Sequence, residues 1–365
     1  MSESVELSVE GEQRELTAQL VDHLTAPHIP EVAVRSQRGD VEEYLRHARA
    51  HYENTGTPHY ENTAVPHYVA GVAMNDAEIR NLSRRLRDVA EPIAGAVYFL
   101  PECSDRYDAL GLDRRPAYFA SRGACIGGGR GPVPGEVVVA AFGVFSPAVV
   151  IPAVAQAWSK TTAPELLQAR LDGTVEGLTR ILGAAPASGA AATKRLRVAA
   201  DAAGGEGRHL FSGLRSLGWP GSPIGDLWRA TDLVREHRGD SHIAAWISHG
   251  ISPVEAQLLL ELWWRMPVGP YTQGRGWTDP EIAASWDSLM ARELVTGTMA
   301  EGAFTDAGLD LRASIEAATD RQERPLIEAL GATQCEALIA QLHPWAMAVV
   351  EAQAYPVDPS TRTRL

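Results

Sequence analysis

The chain has 365 residues, 45% hydrophobic and 22% charged, which suits a packed core of one or two domains and excludes a disordered or fibrous protein. Its 33 basic and 46 acidic residues leave a net charge of −13, the wrong sign for a protein that lives on phosphate backbones or anionic lipid. Cys103, Cys125 and Cys335 fit neither a disulfide framework nor a CxxC zinc knuckle; no run approaches the roughly 18 apolar residues of a membrane span, and the opening MSESVELSVEGEQ lacks a signal peptide's basic flank and apolar run.

A cytoplasmic protein with no membrane partner is therefore expected. Residues 1–78 read as an acidic, partly disordered extension: the first 75 hold 12 acids against five arginines and six of the 11 histidines. They include an eight-residue repeat, HYENTGTP at 51–58, HYENTAVP at 59–66 and a decayed HYVAGVAM at 67–74. That period matches no solenoid, and its Pro and Gly content argues for a loop or linker. His51, His59 and His67 could hold a soft metal ion, but a short duplication in a tolerant segment is the simpler reading. Residues 39–52 can make one short helix.

From about residue 76 the texture becomes helical, and a first lobe is expected over 79–190. Asn75 and Glu78 form a capping pair ahead of Ile79, Leu82, Leu86 and Val89, predicting a helix that stops near Ala90. Residues 137–151 read as one buried helix, with a strand as the competing reading. Thr162 and Glu165 cap a helix striped by Leu167, Leu171, Val175, Leu178 and Leu182. Residues 183–193 read as a linker, and the basic patch Lys194, Arg195, Arg197 starts the next helix.

A second lobe is expected over 205–352. Asp226 opens a long helix, with a break allowed at Gly239 and an end at Gly250. Ser252 and Glu255, then Thr278 and Glu281, form two capping boxes with proline at the first helical turn. Residues 293–298 and 303–305 pair as a hairpin, and Thr305 caps a helix through Thr319. Helix, helix, hairpin, helix is the order of a winged helix-turn-helix, so the fold class is mainly α: two helical lobes, the second a winged helix-turn-helix with a small β-hairpin.

Particular residues carry a resemblance beyond this pattern: Tyr98-Phe99 with Pro101-Glu102, Tyr118-Phe119 with Arg122, Glu136-Val137-Val138, Phe145 with Pro147, Trp158, Trp219-Pro220, Leu233 with Glu236 to Asp240 and His242, Gly276-Trp277, Thr305 with Gly308, and Glu316 with Thr319-Asp320. Through them the chain from about 85 to 350 resembles an actinobacterial family whose C-terminal part is similar to the MarR-type winged helix. The resemblance implies architecture, and DNA binding only through the name of the fold. The motif's own charge argues the other way: residues 278–320 hold nine acids and two bases, whereas a specific DNA site neutralises roughly six to ten phosphates.

The densest polar cluster is REHRGDSH, residues 235–242, six ionisable side chains among eight. On an unbroken helix Glu236 lies one turn from Asp240 and Arg238 one turn from His242, whereas His237 and His242 fall on different faces. The cluster reads either as a buried hydrogen-bond network or as the floor of a ligand pocket, with Tyr98, Tyr118 and Phe145 as apolar wall and Glu102 and Arg122 as anchors. The site expectation is thus ligand binding by Tyr98, Glu102, Tyr118, Arg122, Phe145, Glu236, His237, Arg238, Asp240 and His242, with no metal site, cofactor or catalytic residue assigned. The corresponding function is a ligand-responsive, homodimeric winged-helix regulator, with a small molecule as partner and DNA as a partner the acidic motif argues against. A biosynthetic or metal-assisted enzyme using Glu236, His237, Asp240 and His242 is the alternative, and a protein-interaction module the third.

Overall fold

A computed structural model describes residues 74–184 and 190–356. The repeat, the histidines within it and the helix expected at 39–52 lie outside the described residues. The described chain is mainly helical with one small antiparallel hairpin, and within it no helix is long and apolar enough to cross a membrane.

Helix α1 (Asp76–Gly95) begins where the Asn75/Glu78 box places it: the Asn75 side chain accepts from the Glu78 N–H at 3.0 Å, and Glu78 returns the bond to the Asn75 N–H at 2.9 Å. It runs beyond the expected stop, through Pro92 to Gly95. A proline inside a helix forfeits one hydrogen bond, but Ile93 and Ala94 are fully buried, and the Trp228 indole donates to the Ala94 carbonyl at 3.2 Å. Tertiary burial therefore overrides the local stop signal.

After a 3₁₀ turn (Ala96–Tyr98) come α2 (Pro101–Ala109), α3 (Arg114–Ile126), α4 (Gly135–Phe142), α5 (Pro147–Trp158) and α6 (Ala163–Leu182). The single helix expected at 137–151 is two, because Gly143 ends α4 in the left-handed conformation, φ 68°, and Pro147 starts α5. The residues between them, 143–146, become a wall of the site described below. The Thr162/Glu165 box starts α6 as predicted. Helix α7 (Ala190–Ala202) begins before the basic patch, and α8 (His209–Ser216) follows it.

Helix α9 (Pro223–Ser248) is the axis of the molecule. It starts at Pro223 behind a Ser222 cap, three residues ahead of the expected Asp226, and does not break at Gly239. Buried residues lie all round it, as for a helix enclosed on every side, and it packs on α1, α6, α7, α8 and α13. An interior glycine costs about 1 kcal/mol relative to alanine; here it leaves space in the cavity that Gly239 lines.

Beyond α9, helix α10 (Pro253–Trp263), short α11 (Pro270–Gly274), α12 (Asp279–Ala291), strands β1 (Val295–Thr296) and β2 (Ala303–Phe304), and α13 (Asp306–Gln322) complete a winged helix-turn-helix. Both predicted capping boxes form, and Val295 pairs with Phe304 in the hairpin. Ala245 and Trp246 from the end of α9 join Leu258, Ile282, Trp286, Leu289 and Ile315 in this unit's own core. Helices α14 (Arg324–Leu330) and α15 (Ala332–Glu351) then return to the first lobe, where α15 packs along α1.

Candidate functional site

Where α9 leaves the helical body and enters the winged unit, a cavity of about 380 Å³ lies against it. Its walls come from α1, α3, α4, the 143–146 turn, α8, α9, the residues after α11, and α13. Seven of the ten residues singled out from sequence line it: Tyr118, Arg122, Phe145, Glu236, Arg238, Asp240 and His242. Tyr118, Phe142 and Phe145 make an aromatic wall with ring centroids 5.4 to 5.9 Å apart.

Three do not line it. Glu102 sits on the α2–α6 surface, where Arg180 donates to it at 2.6 Å and holds its carboxyl below the usual range. His237 points to the opposite side of α9, its Nδ1 2.7 Å from Glu323 Oε1 and its ring edge-on to Phe211. Tyr98 stands behind the wall, with the guanidinium groups of Arg122 and Arg235 over its ring at 5.5 and 5.4 Å. Burial pushes its phenol far up, so it serves as a neutral platform for two cations.

Charge around the cavity is organised in two buried networks. In the first, Arg122, 1% exposed, pairs with Glu236 and lies 3.5 Å from Asp232. Asp232 also accepts from Arg170 at 2.9 Å, and Arg235 pairs with Glu236 and, at 3.0 Å, with Glu91. Burial alone would raise the Asp232 carboxyl, but Arg170 and Arg122 outweigh it and hold it below the ordinary value.

The second network ties α9 to α13 and α1. Arg238 reaches Asp320 at 2.8 Å, Glu316 at 3.6 Å and the Ser83 hydroxyl at 2.9 Å; Arg84 also binds Asp320 at 2.9 Å. Burial penalises ionised Glu316, yet the cations Arg312, Arg238 and Arg87 hold it well below the carboxylate range. Burial lowers His242, favouring neutral imidazole, and its Nδ1 lies 3.1 Å from the Thr319 hydroxyl.

His237 and His242 thus face different partners, and among the described residues no group of three or more His, Cys, Asp or Glu is placed to hold a metal ion. Among the described residues no serine, threonine or cysteine lines the cavity. The group best placed to exchange a proton is Asp240: burial pushes its carboxyl up to about 7, although the Phe211 N–H donates to it at 3.0 Å. Asp88, buried beside Arg87, is pushed up to about 6 by the same cause.

An ordinary aspartate ionises near pH 3.9. Between that value and about 7, Asp240 is protonated in the native state and ionised in the unfolded chain, so folding takes up a proton and stability must fall as pH rises. Asp88 adds to the fall up to about pH 6, at a slope of at most about 1.4 kcal/mol per pH unit for each group. The depressed Glu316 has the opposite sign: its contribution is lost only as pH drops below the ordinary glutamate value. Burial lowers His242 and His343, whose contributions rise with pH up to the ordinary histidine value and oppose this fall. The fall due to Asp240 is therefore expected as a difference: from pH 5 to pH 7 the melting temperature of the parent should drop more, or climb less, than that of Asp240→Asn. Equal slopes in parent and variant would exclude Asp240 as its source.

Several residues of the site carried weak local signals or none. Arg170 occupies the buried face of α6 with Leu166 and Ala169, and a charge at an apolar helical position is a readable flag. Asp232 lies one turn before Glu236. Arg275, in contrast, follows a short helix and has no periodic pattern around it. Its guanidinium lies over the Phe145 ring at 4.2 Å and donates to the Tyr271 hydroxyl. The adjoining backbone is tied to the aromatic wall, Ser146 N–H to the Arg275 carbonyl and Trp277 indole to the Val144 carbonyl, each at 2.9 Å.

A helical body continued through one axial helix into a helix–helix–hairpin–helix unit defines a helix-turn-helix protein. The chain belongs to the helix-turn-helix family, matched over residues 83–356. No curated protein matches it, and no solved structure does.

Proposed function

We propose that the protein is a ligand-responsive helix-turn-helix regulator whose sensing site is the cavity beside α9 and whose output element is the winged unit. The observation that supports this reading is the position of the cavity. It is lined by α9, by Arg275 and by Glu316 of α13, and α9 ends in the winged core through Ala245 and Trp246. A ligand there touches the elements that set the orientation of α12 and the wing, which is what a coupling between two sites needs. In this reading the protein is a homodimer, the assembly by which such regulators address two half-sites.

The test compares binding to the upstream DNA of its own gene, from 25 to 200 mM salt, for the parent and for Gly239→Leu, which fills the cavity. Ligand-linked couplings are typically 5- to 150-fold, so an affinity change of at least about fivefold with unchanged melting is expected. Equal affinities would sink the coupling.

One observation favours a second reading of the output. Asp279, Glu281, Asp287 and Glu293 are exposed along α12 and its end, and the cation beside them, Arg292, is held by Glu255 and the Gly250 carbonyl. Such a face repels phosphate and suits a cationic protein partner. Undetectable DNA binding even at the lowest salt would select this reading.

A further inference from the structure

The cavity is lined by five arginines and four carboxylates. Arg87, Arg122, Arg235 and Arg238 each have an acid partner, and Glu91, Glu236 and Glu316 each have an arginine partner. Among the described residues, Arg275 and Asp240 are the two of these nine side chains outside any ion pair. They differ in how they are satisfied: Asp240 already accepts the Phe211 N–H, whereas Arg275 has a phenol oxygen, two ring faces and a buried Nε with no hydrogen-bond partner. The unmet demand in this cavity is for a negative group beside Arg275.

The surroundings of Arg275 specify the rest of the molecule. Its guanidinium rests on Phe145, which is edge-on to Phe142 at 5.5 Å, so an acid bound there has its body against an aromatic wall. About 380 Å³ lies in the range of small-molecule sites. The Tyr271 hydroxyl and the backbone ties at Ser146 and Trp277 hold the cation in place before a ligand arrives, and a pre-organised planar fork favours carboxylate.

We infer that the cavity binds a small carboxylate with a ring-sized apolar body, its acid group on Arg275 and its body on Phe142 and Phe145. This rests on the cavity being a ligand site and adds the class of ligand.

Calorimetric titration of the full chain with 3-phenylpropionate, 3-phenylpropanamide, phenethylamine and inorganic phosphate tests it. The acid is expected to bind at least about tenfold more tightly than the amide, the amine or phosphate, since charge-assisted bidentate pairs are the strong ones. Arg275→Met should remove that preference and Arg275→Lys restore part of it, with melting lowered only modestly, since a hydrogen bond to Tyr271 and two ring contacts are lost but no ion pair is. If either variant fails to fold, the ranking of the four probes on the parent still decides. Equal binding of acid and amide overturns the inference while leaving a ligand cavity standing. Preference for the amine, tighter binding of phosphate, an acid affinity unaffected by Arg275→Met, or no binding of the acid also overturns it.

Discussion

Asp232→Asn is expected to destabilise the protein by about 3–5 kcal/mol, the range for breaking a buried ion pair. Asp232 is fully buried between Arg122 and Arg170. Arg122 keeps Glu236 as a partner, but Arg170 keeps only the Trp228 ring, over which it lies at 4.5 Å. The amide would therefore leave a guanidinium without an anion in a site water does not reach. At roughly 2–4 °C per kcal/mol for a chain of this size, melting should drop by about 10 °C. The double variant Arg170→Met with Asp232→Leu removes both charges and should recover part of the loss, since apolar replacement of a buried pair is often neutral. An Asp232→Asn protein that melts with the parent would show that the network contributes no stability.

Glu261→Ala should cost a similar amount and disable the cavity as well. Glu261, fully buried in α10, accepts from the Gly269 N–H at 2.9 Å, the Thr272 N–H at 3.0 Å and the Thr272 hydroxyl at 3.1 Å. Gly269, at φ 114°, has no side chain with which to cap α11, so the carboxylate of the neighbouring helix supplies the missing acceptor. Each buried donor left unmet costs about 1–3 kcal/mol, and the truncated side chain adds a small void; about 3–5 kcal/mol in total is expected. Helix α11 carries Tyr271, which orients Arg275, so affinity for 3-phenylpropionate should fall with stability. Glu261→Gln keeps the shape and one acceptor and should lie between. Parent-like melting and parent-like binding in Glu261→Ala would refute the role.

Much of the site was visible in the cluster at 235–242, because six ionisable groups inside an apolar helix must be paired or line a cavity. What each group does was not. Glu236 and His237 are adjacent, yet one faces the cavity and the other meets Glu323 across the helix. Tyr98 and Glu102 share a short stretch of sequence, but Tyr98 backs the site and Glu102 is at the surface with Arg180. The clean break expected at Ala90 failed for the same kind of reason, since contacts from Trp228 and burial of Ile93 carried α1 past its proline.

Taken alone, the sequence determined where helices begin at Asn75, Thr162, Ser252, Thr278 and Thr305, and that a hairpin precedes the last of these. Those features are settled by hydrogen bonds between residues three or four apart, which the order of side chains specifies directly. It also determined the acidity of the winged unit, since charge is additive along a chain. Tertiary structure alone decided that Arg170 would meet Asp232, 62 residues away, that Glu261 would cap a different helix, and that Arg275 would stand on Phe145 without an acid. Whether a buried charge is paired depends on which helices pack together, and packing is set by the fit of whole surfaces rather than by any local run of residues.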